Sequence, residues 1–114
     1  MRRAARWDGV FALKMPPVPL VGLTPGAAPW SALWLQPHEL AEAAKYVTQH
    51  RANSGVFDVI GSGATPLGDA AKGQEIASAF RDAGATWWLE WLDEQRGTFA
   101  QMREHIQNGP PEVP

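Results

Sequence analysis

The sequence predicts an α/β fold built on a parallel sheet, and three observations carry that prediction. Short runs rich in Val, Ile, Phe and Trp recur along the chain, each bounded by turn residues and each too short for a helix. Segments with apolar residues at helical spacing stand between them. The two kinds alternate strictly, β-α-β-α-β-α, an order that requires parallel strands joined by helical crossovers. At 114 residues the chain fits one ordinary domain with a modest core.

The first strand is expected over "DGVFAL", 8–13. The segment that follows, 14–36, "KMPPVPLVGLTPGAAPWSALWLQ", is rich in Pro and Gly and has no clean periodicity. It reads as a long loop after the carboxyl end of a strand, where α/β proteins build ligand sites. Trp30 and Trp34 stand at helical spacing within it. One helical turn would present both, either pinning the loop to the body or forming a hydrophobic lid or subunit contact. In "PHELAEAAKYVTQHR", 37–51, Leu40, Ala43, Ala44 and Val47 share a helical face, and Pro37 suits the first turn, where its missing N–H costs nothing. Gln36 stands where a Ser or Thr cap is expected, a local loss of roughly 1 kcal/mol at most.

The second strand is expected over "VFDVIG", 56–61, and the second helix over "AAKGQEIASAFRDAG", 70–84. The helix carries a stripe of Ile76, Ala79, Phe80 and Ala83, with Gly84 as its stop. The third strand is "TWWLE", 86–90. In "TFAQMREHIQNGPP", 98–111, the stripe of Phe99, Met102 and Ile106 is expected to pack in the core. Thr98 and Gln101 have capping-box spacing there, and Gly109 with Pro110 ends the helix.

Three strands cannot close a barrel, and their outer edges would offer unpaired backbone groups. By this reading the chain is one piece of a larger sheet. Its 45% hydrophobic and 19% charged residues suit a globular protein. A net charge of -2, with Arg2, Arg3 and Arg6 alone clustered, gives no reason to expect a nucleic-acid partner. The lack of cysteine excludes disulfides, thiolate metal sites and cysteine nucleophiles. No apolar run has the length of a signal-peptide core or a membrane span, so the expected setting is cytoplasmic, without a membrane partner.

"GSGATP" leaves a strand and enters a helix. Gly61 and Gly63 would let backbone N–H groups approach a phosphate, with the hydroxyls of Ser62 and Thr65 as further donors. The same residues read equally as a tight turn that uses glycine for backbone freedom. Pro66 stands where the nicotinamide fingerprint needs its third glycine, and the Gly-Lys pair of a P-loop is missing. "HELAE", 38–42, fails the zinc signature at Glu42, and "GSGAT" lacks the serine-hydrolase spacing, so no metal site and no serine nucleophile are expected. Glu39 and Glu42 suit a helix amino terminus, and His50 and His105 suit helix carboxyl ends. In "TWWLEW", alternation puts Trp87, Leu89 and Trp91 on one face and Thr86, Trp88 and Glu90 on the other. The apolar set is expected under helices and the mixed set toward a barrel interior, with Glu90 at the pocket end of its strand. Glu90 reads otherwise as a carboxylate reaching solvent or pairing with an arginine such as Arg96.

"RRAARWDGVF", "FDVIGSGATP" and "AFRDAGATWWLEWL", with the closing "FAQMREHIQNGPP", resemble the C-terminal portion of luciferase-like monooxygenases. These are flavin- or deazaflavin (F420)-dependent oxidoreductases built on a (β/α)8 TIM barrel. The resemblance covers most of the chain except 14–36. It implies that 1–114 is a C-terminal fragment holding three consecutive βα units, the sixth to eighth, with 14–36 as a loop insertion. "RRAAR" would be the tail of the preceding helix. FMN or F420 is the implied cofactor, with Gly61, Ser62, Gly63 and Thr65 near its phosphate side. Asp8, Trp88 and Glu90 are implied to face the substrate pocket, while the main catalytic residues belong to earlier strands and none is assigned here. The chain is then expected to be inactive alone. The alternative is a non-catalytic assembly module, whose sheet edges and Trp30/Trp34 loop pair with another chain or a second copy.

Overall fold

The computed structural model describes residues 1–14 and 30–114. Three strands, β1 (Gly9–Phe11), β2 (Asp58–Gly63) and β3 (Trp87–Glu90), alternate with helices α1 (Pro37–His50), α2 (Ala70–Asp82) and α3 (Phe99–Gln107). The sheet order is β1-β2-β3 and both pairs are parallel, with Val10 opposite Val59 and Gly61 opposite Trp88. The α/β class, the order of elements and the parallel pairing follow the expectation. The sheet is open.

Helices α1 and α2 cover one face. Leu40 of α1 and Phe80 of α2 meet Val59 of β2, with Val10, Ala44, Ile76, Ala85 and Trp88 packed around them. The apolar spacing of α1 works as expected, burying Leu40, Ala43 and Val47. Helix α2 keeps most of its expected stripe: Phe80 is buried and Ile76 and Ala83 pack against the core, while Ala79 is partly exposed and Gly73 and Ala77 are buried beside them. The helix lies against Thr65 at Gly73, where a Cβ would stand 3.4 Å from the Thr65 side chain.

The helix ends are explicit. The Gln36 N–H donates to Glu39 Oε2 at 2.6 Å, so Glu39 offsets the weak cap residue. Thr98 and Gln101 form the expected capping box, with the Thr98 N–H on Gln101 Oε1 at 2.8 Å. Gly84, at φ +101°, turns the chain out of α2 in a conformation that side-chain-bearing residues rarely adopt.

Four expectations need correction. "RRAAR" ends in a single 3-10 turn, Ala4–Arg6, where the tail of an α-helix was expected. Strand β2 runs through Gly63, so the two glycines expected in a turn are extended ladder residues. Residues 15–29 of the expected loop, and the Trp30 side chain, lie outside the described part. The chain returns through a 3-10 turn at Trp30–Leu33, and Trp34 then bridges to Leu13 and packs against Trp91 with ring centroids 6.0 Å apart. The third correction concerns α3, which buries no residue: Phe99 is 81% exposed and Ile106 62%. Its stripe has nothing to cover because β3 is an edge strand and no described element lies beyond it. The fourth is the orientation of β3.

Candidate functional site

The carboxyl end of the sheet is shaped by two glycines. A Cβ on Gly63 would lie 2.8 Å from Trp88 Cη2, and one on Gly61 would lie 3.0 Å from Phe80 Cδ1. The Trp88 indole fills the space over Gly63 and Phe80 that over Gly61, the two rings tilted against each other at 5.1 Å between centroids. Trp88 and Glu90 therefore lie on the helix-covered face, while Trp87 and Leu89 are exposed on the other. This reverses the expected faces. Alternation was read correctly, but the space over Gly63 that Trp88 fills decides which set turns toward the helices.

Glu90 is the centre of a polar cluster beneath α3. Its Oε1 accepts the Thr65 N–H at 2.8 Å, the Thr65 hydroxyl at 3.1 Å and Arg96 Nη1 at 2.8 Å, and lies 3.3 Å from His105 Nε2. Its Oε2 accepts the Trp88 indole N–H at 2.8 Å. Arg96 also donates to the backbone carbonyls of Thr65 and Trp91. One carboxylate thus ties β3 to the β2–α2 turn, the 91–98 segment and α3. Its lone pairs are committed to these donors, which suits a latch and leaves it poorly placed as a base or nucleophile.

The residues expected to cradle a phosphate are arranged differently. Gly61, Ser62 and Gly63 are extended strand, and Thr65 is buried with its N–H and hydroxyl already on Glu90. Helix α2 begins later, at Ala70, where the Asp69 carboxylate accepts the Lys72 N–H at 2.9 Å. A phosphate there would meet a negative charge. As they stand, these four residues do not fit a cofactor phosphate.

Asp8 is placed apart from Trp88 and Glu90. It precedes β1 at the amino ends of the strands, where its carbonyl accepts the Asp58 N–H at 2.8 Å. It borders a cleft of about 420 Å³ that Arg2, Arg6, Trp7, His50 and Arg51 also line. A second hollow, about 490 Å³, lies between the start of α2 and the end of α3, beside Thr65, Asp69, His105 and Pro111. Among the described residues, no group of three or more His, Asp and Glu side chains converges as a metal site requires.

Of three residues that organise these ends, sequence reasoning named one, Arg96, as a partner Glu90 does take, and missed two. His105 was explained by the helix dipole. The signal was a lone carboxylate in an apolar strand, with one arginine and one histidine close behind it. Arg51 was missed altogether: it donates to the carbonyls of Trp7, Asn53 and Gly55 and sits 4.4 Å over the Phe57 ring. No family model, curated protein or solved structure matches the chain.

Proposed function

We propose that this chain is the C-terminal part of a luciferase-like flavin- or F420-dependent oxidoreductase, and that it turns over nothing by itself. One observation carries the reading: among the described residues, a parallel sheet in βα order has its helices on one face, with Phe11, Trp87 and Leu89 exposed on the other. The free face of such a sheet is the inner wall of a (β/α)8 barrel, which is filled by layers of bulky side chains. The motif resemblance supplies the family. FMN or F420, bound in the completed barrel, would supply hydride transfer or oxygen activation. This chain's own residues then act as scaffold: Glu90, with Arg96 and Thr65, fixes the β2–α2 turn at the end of the barrel where pockets form. A cytoplasmic setting belongs to the same proposal and is supported by the cysteine-free composition. No helix among the described residues is long and apolar enough to cross a membrane.

The test is a fluorescence titration of the purified chain with FMN and with F420, repeated on a polypeptide that adds five preceding βα units. The chain alone is expected to show no saturable binding at micromolar concentration, and the extended polypeptide to bind one of the two. Micromolar binding by the chain alone, or binding of neither cofactor by the extended form, would overturn the proposal.

A further inference from the structure

The end of the sheet away from Glu90 holds the cleft that Arg2, Arg6, Trp7, Asp8, His50 and Arg51 help to line. Its volume of about 420 Å³ is within the range of small-molecule sites, roughly 300–1,000 Å³. The fold has gathered positive charge there. Arg2 and Arg6 stand around the Ala4–Arg6 turn, and Arg51 joins them from the carboxyl end of α1. Against these guanidiniums the lining holds one carboxylate, Asp8, in a chain whose net charge is -2.

The arginines are not equivalent. Arg51 is held in place: Nη1 donates to the Trp7 carbonyl at 2.8 Å, Nη2 to that of Gly55 at 3.1 Å and Nε to that of Asn53 at 3.2 Å. These acceptors carry no formal charge, so the cation is oriented without being neutralised. The carboxyl end of α1 opposes an anion here, and the Arg51 guanidinium beside it offsets that partial charge. Arg2 and Arg6 are exposed, and among the described residues no carboxylate or carbonyl partners either guanidinium. Residues 15–29 contain no Asp or Glu, so they bring no carboxylate to these cations. Trp7 is 69% exposed beside them, its carbonyl fixed by Arg51. His50 is stacked on Tyr46 at 4.1 Å between centroids, with Nδ1 2.8 Å from the Tyr46 carbonyl, an acceptor, so Nδ1 carries the hydrogen.

We propose that this cleft binds a compact anion with two phosphate groups and a flat ring, the class of a nucleoside diphosphate. A guanidinium takes a phosphate through two parallel N–H donors. Arg2 and Arg6 offer one such edge each, so a diphosphate uses both where a monophosphate uses one. Arg51 adds a fixed charge, and the exposed indole of Trp7 gives a base a surface to stack on. The proposal is independent of the barrel reading, whose pocket lies at the other end of the sheet.

The test is isothermal titration calorimetry of the purified chain, in magnesium-free buffer of low ionic strength, with ADP, AMP, adenosine and inorganic pyrophosphate. ADP is expected to bind one to one, about tenfold or more tighter than AMP, and adenosine to give no saturable heat. FMN, with its single phosphate, should rank with AMP and bind more weakly than micromolar. Arg2→Gln and Arg6→Gln should each weaken ADP about tenfold. Trp7→Ala should weaken ADP and leave pyrophosphate unchanged. Arg103→Gln removes an equal charge on α3, outside the cleft, and should change nothing. All four side chains are exposed, and circular dichroism checks that the variants fold. No saturable ADP binding, equal weakening by Arg103→Gln, or a single-stranded oligonucleotide held far more tightly than ADP would each overturn the inference. ADP binding by the chain, with neither FMN nor F420 taken up by the extended polypeptide, leaves this cleft standing and overturns only the oxidoreductase reading.

Discussion

Gly63 and Glu90 face each other across β2 and β3, and each has a role that a single substitution exposes. In Gly63→Ala the new methyl would sit 2.8 Å from the Trp88 ring, which Phe80 backs from behind, so the indole cannot yield freely. Overpacking of this kind costs about 1–3 kcal/mol, measurable by urea denaturation followed through tryptophan emission. Unchanged stability would show that this space is not needed. Glu90→Ala removes the acceptor shared by Thr65, Trp88, Arg96 and His105. A loss of roughly 2–4 kcal/mol is expected, because largely buried donors and a guanidinium are left without their partner. Formate, a free carboxylate of suitable size, should restore part of that loss in Glu90→Ala and none in the parent chain. Equal effects of formate on both would sink the latch. Of this cluster the sequence made only the Glu90–Arg96 pair legible, as one of two alternatives. Thr65 and His105 were beyond it, because they reach Glu90 from 25 and 15 residues away through the fold.

At the scale of elements, periodicity was a good guide wherever an element is sandwiched between others and a poor one at the edge. Leu40, Ala43 and Val47 are buried as their spacing indicates, since α1 lies against β2 and α2. Phe99 and Ile106 have equally good spacing and stay in water, since amphipathicity specifies a face and says nothing of what covers it. The β2 glycines were misplaced for a related reason: glycine signals a turn in isolation, and only the neighbouring Trp88 reveals a packing need. Helix α1 supports a pH prediction. The Gln36 N–H, and then Lys14 at 2.9 Å, hold the Glu39 carboxyl below its ordinary range. A depressed carboxyl contributes stability above its unfolded value of roughly 4.3, and that contribution is lost as pH falls through the lower folded value. The melting temperature of Glu39→Gln should therefore lie below that of the parent at pH 7, and the gap should close in acid. A gap as wide at pH 3 as at pH 7 would refute the assignment.

The described residues span 46 × 42 × 20 Å, with a radius of gyration of 15.6 Å where a compact domain of about this size has about 13 Å. That is the shape of a two-layer slab, one layer of helices on one layer of sheet. Heat capacity reports the same fact thermodynamically, because unfolding raises it in proportion to the apolar surface newly exposed. A fully closed domain of 114 residues should show an unfolding heat-capacity change of about 1.4–1.7 kcal/mol/K. Here Trp87, Phe99 and Ile106 are already largely exposed in the folded state and Phe11, Leu13 and Leu89 nearly half exposed, so unfolding has less left to expose. Scanning calorimetry of the isolated chain is expected to give a value about a fifth or more below that range, with a correspondingly shallow urea dependence. In a polypeptide that adds the five preceding βα units, the per-residue value should return to it. A chain that gives the full value alone has buried this surface by itself, and the ring would then have nothing to complete.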